Sequence, residues 1–162
     1  MIVSIQGNIG CGKSTLVDQM KFDLSHTRNG WKFVEEPVKE WSKFKDTTGK
    51  DILTLFYENP KSHAFTFQMM AYISRLDALK SALWSLPQVL ISERSLEADK
   101  EVFEQMLHTR GDISKIEHEI YNKWFDHFAK DCTSDKIVYL RCDPAVAHSR
   151  IRKRNRQGEN IT

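Results

Sequence analysis

With 162 residues, the chain is sized for one domain able to bury a sizeable core. Its 24 Lys and Arg nearly balance 22 Asp and Glu, so no overall field advertises a nucleic acid or a membrane surface as partner. No basic-plus-apolar leader or run of about twenty apolar residues occurs, and three cysteines (Cys11, Cys132 and Cys142) without C-x-x-C spacing argue against a disulfide scaffold. A cytoplasmic protein with free thiols is expected.

In chain order, Ile2-Val3-Ser4-Ile5 reads as a strand and runs directly into Gly7-Asn8-Ile9-Gly10-Cys11-Gly12-Lys13-Ser14-Thr15. That run has the form of a phosphate-binding loop. Its glycines let backbone N–H groups turn inward around phosphates, and a helix opening near Lys13 points its positive end at the same anion. Lys13 is placed to reach the outer phosphates and the Ser14 hydroxyl to ligate Mg²⁺, so the chain is expected to grip a nucleoside triphosphate. Leu16, Val17, Met20 and Leu24 then mark one face of a helix over 14–24. Asn29-Gly30 breaks it, residues 31–35 read as a second strand, and Pro37 forces Glu36 into an extended conformation at that strand's carboxyl edge.

The pattern is helical over 51–57 and again over 60–86, where Pro87 ends the run. Residues 89–91 form a short apolar strand leading into Glu93-Arg94-Ser95, helical segments follow over 96–108 and 114–129, residues 137–140 make another strand, and a helix from Pro144 turns strongly basic. Continuous apolar strands alternating with helices imply an α/β fold, a P-loop NTPase-type parallel sheet with helices on both faces. Ligands of such sheets sit at the carboxyl ends of the strands, where Gly7 to Ser14, Glu36 and Glu93 are expected to converge.

Phosphoryl transfer needs positioning, charge neutralisation and a base for the attacking oxygen. Glu36 can accept the proton of an acceptor hydroxyl. Glu93 can hold a Mg²⁺ water and Arg94 a phosphate or the acceptor oxygen, although the triplet taken alone also fits a capping segment for the next helix. Arg150, Arg152, Lys153, Arg154 and Arg156 put five cations into seven residues. With no aromatic residues beside them for base stacking, they read as a lid over a triphosphate rather than a nucleic-acid arm. His118-Glu119 opens like a zinc-protease motif, but Asn122 stands where the second ligand would be. Cys11 is read as a small loop residue.

In this order and at these separations the motifs resemble those of the deoxynucleoside kinase family, which includes deoxycytidine kinase, deoxyguanosine kinase, mitochondrial thymidine kinase and the insect multisubstrate enzyme. GNIGCGKST is similar to the family's phosphate loop, EEPVKEW to its base-bearing segment, FQMMAYISR to its nucleobase-binding helix, ERS to its third-strand motif and RIRKRNRQGE to its lid. The resemblance spans nearly the whole chain and implies one kinase-like domain over 1–162 with its lid over 150–160. It implies that Gly7, Asn8, Gly10, Gly12, Lys13, Ser14 and Thr15, joined by the lid residues Arg150, Arg152, Arg154 and Arg156, hold ATP, with Ser14 and Glu93 managing Mg²⁺. Glu36 becomes the general base for a substrate 5′-hydroxyl, with Arg94 holding that oxygen and the base, and Lys13 completing the catalytic set.

The same resemblance implies that Trp41 and Phe67 sandwich the nucleobase, that Gln68 makes paired hydrogen bonds to its edge, and that Tyr57 and Glu159 hold the sugar 3′-hydroxyl, with the packing around Tyr57 disfavouring a 2′-hydroxyl. Arg75 and Asp99 match an Arg and Asp pair of the deoxycytidine and deoxyguanosine kinases, where thymidine-using relatives have smaller or apolar residues. A carboxylate near the base favours an exocyclic amino donor, so deoxycytidine or a purine deoxynucleoside is expected over thymidine. A structural salt bridge is the other reading of this pair. A homodimer through the helices at 60–86 and 114–129, and a part in deoxynucleotide salvage for DNA precursor synthesis, follow from the resemblance, with no nucleic-acid or membrane partner.

Two departures stand out. Position 158 is Gly where the family usually carries a first lid glutamate, and the chain stops at Thr162 where relatives continue through further helices and a fifth parallel strand, so those elements are expected to be missing. A nucleoside monophosphate kinase of the thymidylate kinase kind shares the Glu-Pro step and the acidic-Arg motif, and a truncated nucleotide-binding protein without turnover is a further reading. Trp41, Gln68 with Arg75, and Glu159 favour the nucleoside kinase, and intact Lys13, Glu36 and Arg94 argue for turnover.

Overall fold

Among the described residues four short strands, β1 (Ile2–Gln6), β2 (Trp31–Val34), β3 (Val89–Glu93) and β4 (Lys136–Tyr139), pair in parallel in the order β2-β3-β1-β4. The computed structural model describes residues 1–24, 30–156 and 159. Asn29 of the expected break, Gly158 and the last three residues lie outside the described residues. The chain divides into a sheet unit (Met1–Glu36, Asp77–Ser95 and Cys132–Asn155) and a helical unit (Pro37–Leu76, Leu96–Asp131 and Arg156–Thr162).

In the sheet unit, β1 is an inner strand between β3 and β4, with Ile5 level with Glu93 on β3 and Val138 on β4. The β-branched Ile5 and Ile91 bury against Val17 of α1 (Lys13–Leu24), and Leu16, Met20, Trp31 and Phe33 pack around them. This cluster fixes the loop between β1 and α1, because the strand and the helix on either side of it share one core. β3 runs two residues past its apolar stretch because Ser92 pairs with both Ser4 and Val34, which carries Glu93 into the sheet. β4 is the open edge, and Ile137, Val138 and Tyr139 are exposed, so the full covering expected for a parallel sheet stops short of this strand. The last helix of this unit, α8 (Pro144–Arg154), starts with Asp143 accepting from the Ala145 N–H at 2.8 Å and ends at Asn155 in the left-handed conformation.

The helical unit contains α2 (Val38–Trp41), α3 (Ile52–Glu58), the first part of α4 (Pro60–Leu83), α5 (Leu96–Ala98), α6 (Gln105–Thr109) and α7 (Lys115–Phe128). Asp51 caps α3, and Ser114 with Glu117 forms a reciprocal capping box on α7. One cluster gathers Trp41, Ile52 and Ala71, with Phe67 and Met70 against it, and another gathers Ala64, Leu107 and Ile113. Helix α4 ends at Leu83 rather than at the expected residue 86, since Pro87 bars the helical region to Leu86, which takes φ 49°. The expected single helix over 96–108 is interrupted by a π turn, Asp99–Glu104. In an α-helix residues five apart diverge by about 140°; i→i+5 bonding brings them to one face, and Asp99 and Glu104 are both buried.

Because Ile5 is nearly sealed from solvent between α1 and β3, Ile5→Ala is expected to cost about 2–5 kcal/mol of stability, read from denaturant melts.

Candidate active site

The sheet unit brings the phosphate loop and two acidic residues to the carboxyl ends of β1, β2 and β3. Gly7 has φ 146°, and a Cβ there would meet Leu140 O at 2.6 Å and Cys11 Sγ at 2.7 Å, so no side chain fits at the loop's entry. Lys13, the first residue of α1, is buried and donates from Nζ to Asn8 O at 2.9 Å, across the mouth of its own loop. Burial, and then the Arg94 charge, lower its pKa, while Cys11, Glu36 and Glu93 pull the other way.

Ser14 Oγ donates to Glu93 Oε1 at 2.9 Å. Arg94 follows β3 at φ 66°, donates its N–H to Ile5 O at 3.0 Å, and turns its guanidinium to Glu36 Oε1 (3.2 Å) and Gly7 O (3.4 Å). Ser95 anchors the end of the same motif by accepting from Gln6 Nε2 at 2.9 Å. Glu36 is about one-fifth exposed, whereas Glu93 is buried, and that burial raises the Glu93 pKa despite the Ser14 hydrogen bond, with the Glu36 charge adding to the rise. Arg150 on α8 reaches the loop, donating from Nη1 to Cys11 O at 3.2 Å; Arg152 is exposed. The sheet unit therefore gathers Lys13, Ser14, Glu36, Glu93, Arg94 and Arg150 of the expected residues. Among the described residues no group of three or more His, Cys, Asp or Glu could hold a metal unaided. The Ser14 and Glu93 oxygens fit Mg²⁺, which is ordinarily shared between one or two protein oxygens and the substrate's phosphates.

The helical unit carries the other expected residues. Arg75, fully buried, forms an ion pair with buried Asp99 on the π turn, and Gln68 donates from Nε2 to the Asp99 backbone carbonyl at 3.0 Å. Trp41 donates from Nε1 to Ser74 Oγ at 2.8 Å. Its ring meets Phe67 edge to face, centroids 5.4 Å apart at 87°, so the two rings stand in contact and are not parallel walls with a base-wide gap. Phe56 instead stacks on Phe67 at 4.8 Å and also touches Tyr57 at 5.2 Å. Glu159 lies 3.9 Å from Arg156, which draws that arginine toward a carboxylate in this structure.

Sequence reasoning missed Phe56, Tyr121 and Glu104. Phe56 is adjacent to Tyr57 and could have been found from the aromatic pair; Glu104 lies in the π turn, which leaves no sequence pattern, and Tyr121 shares the buried face of α7 with Phe125 four residues on, a spacing the sequence does carry. His118, rejected as a zinc ligand, lies 2.9 Å from Glu104 through Nδ1 and stacks on His108 with ring centroids 4.1 Å apart.

The family model described as deoxynucleoside kinase matches residues 3–162. The chain is similar to the fowlpox virus protein named "Probable deoxycytidine kinase FPV151", 35% identical over 98% of this chain and 63% of that protein. It is similar to the deoxycytidine kinase of Bos taurus, 33% identical over 97% of this chain and 67% of that protein, and to deoxycytidine kinase 1 of Xenopus laevis, 32% identical over 97% and 66%. The chain thus spans about two thirds of the length of these relatives.

Because Glu93 keeps its proton to higher pH folded than unfolded, the folded chain binds more protons there, and stability falls as pH rises from the ordinary value of 4.5 through the raised one. Glu93→Gln removes that loss. Without Mg²⁺ or nucleotide, urea melts between pH 4 and 7 are expected to show the variant gaining on wild type as pH rises; a constant difference contradicts the raised value.

Proposed function

The chain belongs to the deoxynucleoside kinase family, and we propose that it moves the γ-phosphoryl of ATP to the 5′-hydroxyl of a deoxynucleoside, deoxycytidine or a purine deoxynucleoside in preference to thymidine. The observation that carries this is the Glu36–Arg94 ion pair, set at the end of β3 against the Gly7 carbonyl of the phosphate loop.

The residues divide the chemistry between them. Residues 7–15 wrap the triphosphate, Lys13 exchanges its loop carbonyl for phosphate oxygens, and Arg150 adds charge from α8. Ser14 and Glu93 would hold Mg²⁺, which would supply charge neutralisation for the phosphates when bound. Glu36 takes the 5′-hydroxyl proton as the oxygen attacks the γ-phosphorus and the bond to the bridging β–γ oxygen breaks, leaving ADP. Arg94 holds the carboxylate and the attacking oxygen in place. Gln68, Arg75 and Asp99 read the base edge, Trp41 and Phe67 supply apolar surface to the ring, and Tyr57 and Glu159 take the 3′-hydroxyl. Asp99, an acceptor already charged and paired, suits an exocyclic amino group.

The acceptor assignment is tested by incubating the chain with ATP, Mg²⁺ and each deoxynucleoside or thymidylate. Deoxycytidine or a purine is expected to be the best acceptor, and Glu36→Gln is expected to lower kcat by about 10² to 10⁴. Thymidylate as the best acceptor moves the chain to the monophosphate kinases, and full activity in the variant removes Glu36 from its role.

A homodimer is part of the same proposal. Ile116, Ile120, Trp124 and Phe128 repeat every four residues along α7 and are exposed, as is Ile73 of α4. A stripe of that kind on a water-facing helix marks a covered surface. No helix among the described residues is long and apolar enough to cross a membrane. Sedimentation is expected to give a dimer for the wild type and a monomer for Ile120→Glu; identical masses contradict the assignment.

A further inference from the structure

Tyr121 on α7 is fully buried, its ring 5.4 Å from Tyr72 and 6.1 Å from Phe125, and among the described residues its hydroxyl makes no hydrogen bond of ordinary geometry, with the Gln68 side chain its nearest hydrogen-bonding neighbour. Burial and the nearby carboxylates keep that hydroxyl protonated, a donor in need of an acceptor. The groups facing it are the Gln68 amide, the carboxylates of Asp99 and Glu104, and the Tyr72 hydroxyl.

Three of the four are already engaged. Asp99 pairs with Arg75, Glu104 sits 2.9 and 3.1 Å from His118 Nδ1, and Tyr72 donates to Trp124 O at 3.1 Å. Gln68 engages Nε2 with the Asp99 carbonyl, which leaves its Oε1 as the acceptor beside Tyr121.

A carboxamide turned half over exchanges its donor and acceptor positions. A base with a ring acceptor beside an exocyclic amino group needs one order; a base with a ring N–H beside a carbonyl needs the reverse. An amide free to turn serves both. We propose that Tyr121 is a positioning residue for specificity: its hydroxyl donates to Gln68 Oε1 while Gln68 Nε2 donates to the Asp99 carbonyl, and the two anchors hold the amide in the order that favours an amino-bearing base over thymine. The inference rests on the nucleoside kinase reading above.

Tyr121→Phe removes the oxygen and keeps the ring contacts with Tyr72 and Phe125, so the chain is expected to stay folded, with a melting temperature lowered by no more than about a few degrees, the cost of one buried hydrogen bond. The kcat/KM for thymidine divided by that for deoxycytidine is expected to rise about tenfold, the gain of a site that can turn its amide. A purely structural role moves both constants together. Wild-type turnover of deoxycytidine with an unchanged ratio in Y121F overturns the role of Tyr121 and leaves the kinase reading standing. A wild-type chain that neither binds nor phosphorylates any nucleoside overturns both.

Discussion

Arg94 is placed by a backbone conformation that a side-chain-bearing residue rarely adopts. At φ 66° directly after β3, it stays tied to the sheet through its N–H on Ile5 O while its side chain turns to Glu36 and Gly7 O. Such a conformation costs of order 1–3 kcal/mol and persists where the surroundings over-determine it. Here they do: the next residue, Ser95, is held by Gln6, and the preceding one, Glu93, by Ser14. The guanidinium also opposes, in part, the rise in the Glu93 pKa that burial and the Glu36 charge bring about. Removing this cation would leave Lys13 to oppose the two acids by itself.

The helical unit meets a similar constraint by different means. Its buried acids each have a partner, Asp99 in Arg75 and Glu104 in the His118 ring, and the π turn gives both acids one face. Buried pairs of this kind seldom add net stability over well-packed apolar residues, since desolvating the ions offsets their attraction. They do hold groups in fixed positions, and the Gln68 amide sits among them. The proposed reading of a base edge by directed hydrogen bonds needs that rigidity, whereas the apolar rings of Trp41, Phe56 and Phe67 offer only surface.

What the sequence made legible follows from how local the physics is. The glycine loop between β1 and α1 was readable because strand, turns and helix start lie within fifteen consecutive residues, and the parallel strands because each is a short apolar run. Glu36 and Arg94 could be named as partners only through motif order, since their 3.2 Å contact bridges β2 and β3. The π turn was not legible: no residue type signals an extra residue per turn, and periodicity over 96–108 read as plain helix. Glu104 was missed for that reason, whereas Tyr121 sits on α7 in helical register with buried Phe125. The exposure of β4 was hidden as well, because Ile137, Val138 and Tyr139 carry the pattern of a buried strand.

A crystal structure with ADP, Mg²⁺ and deoxycytidine addresses the central assignment most directly. Glu36 is expected within about 3 Å of the 5′-oxygen, with Arg94 bridging the two and residues 7–15 around the β-phosphate. A nucleoside whose 5′-oxygen lies away from Glu36, or a loop that holds no phosphate, would contradict it.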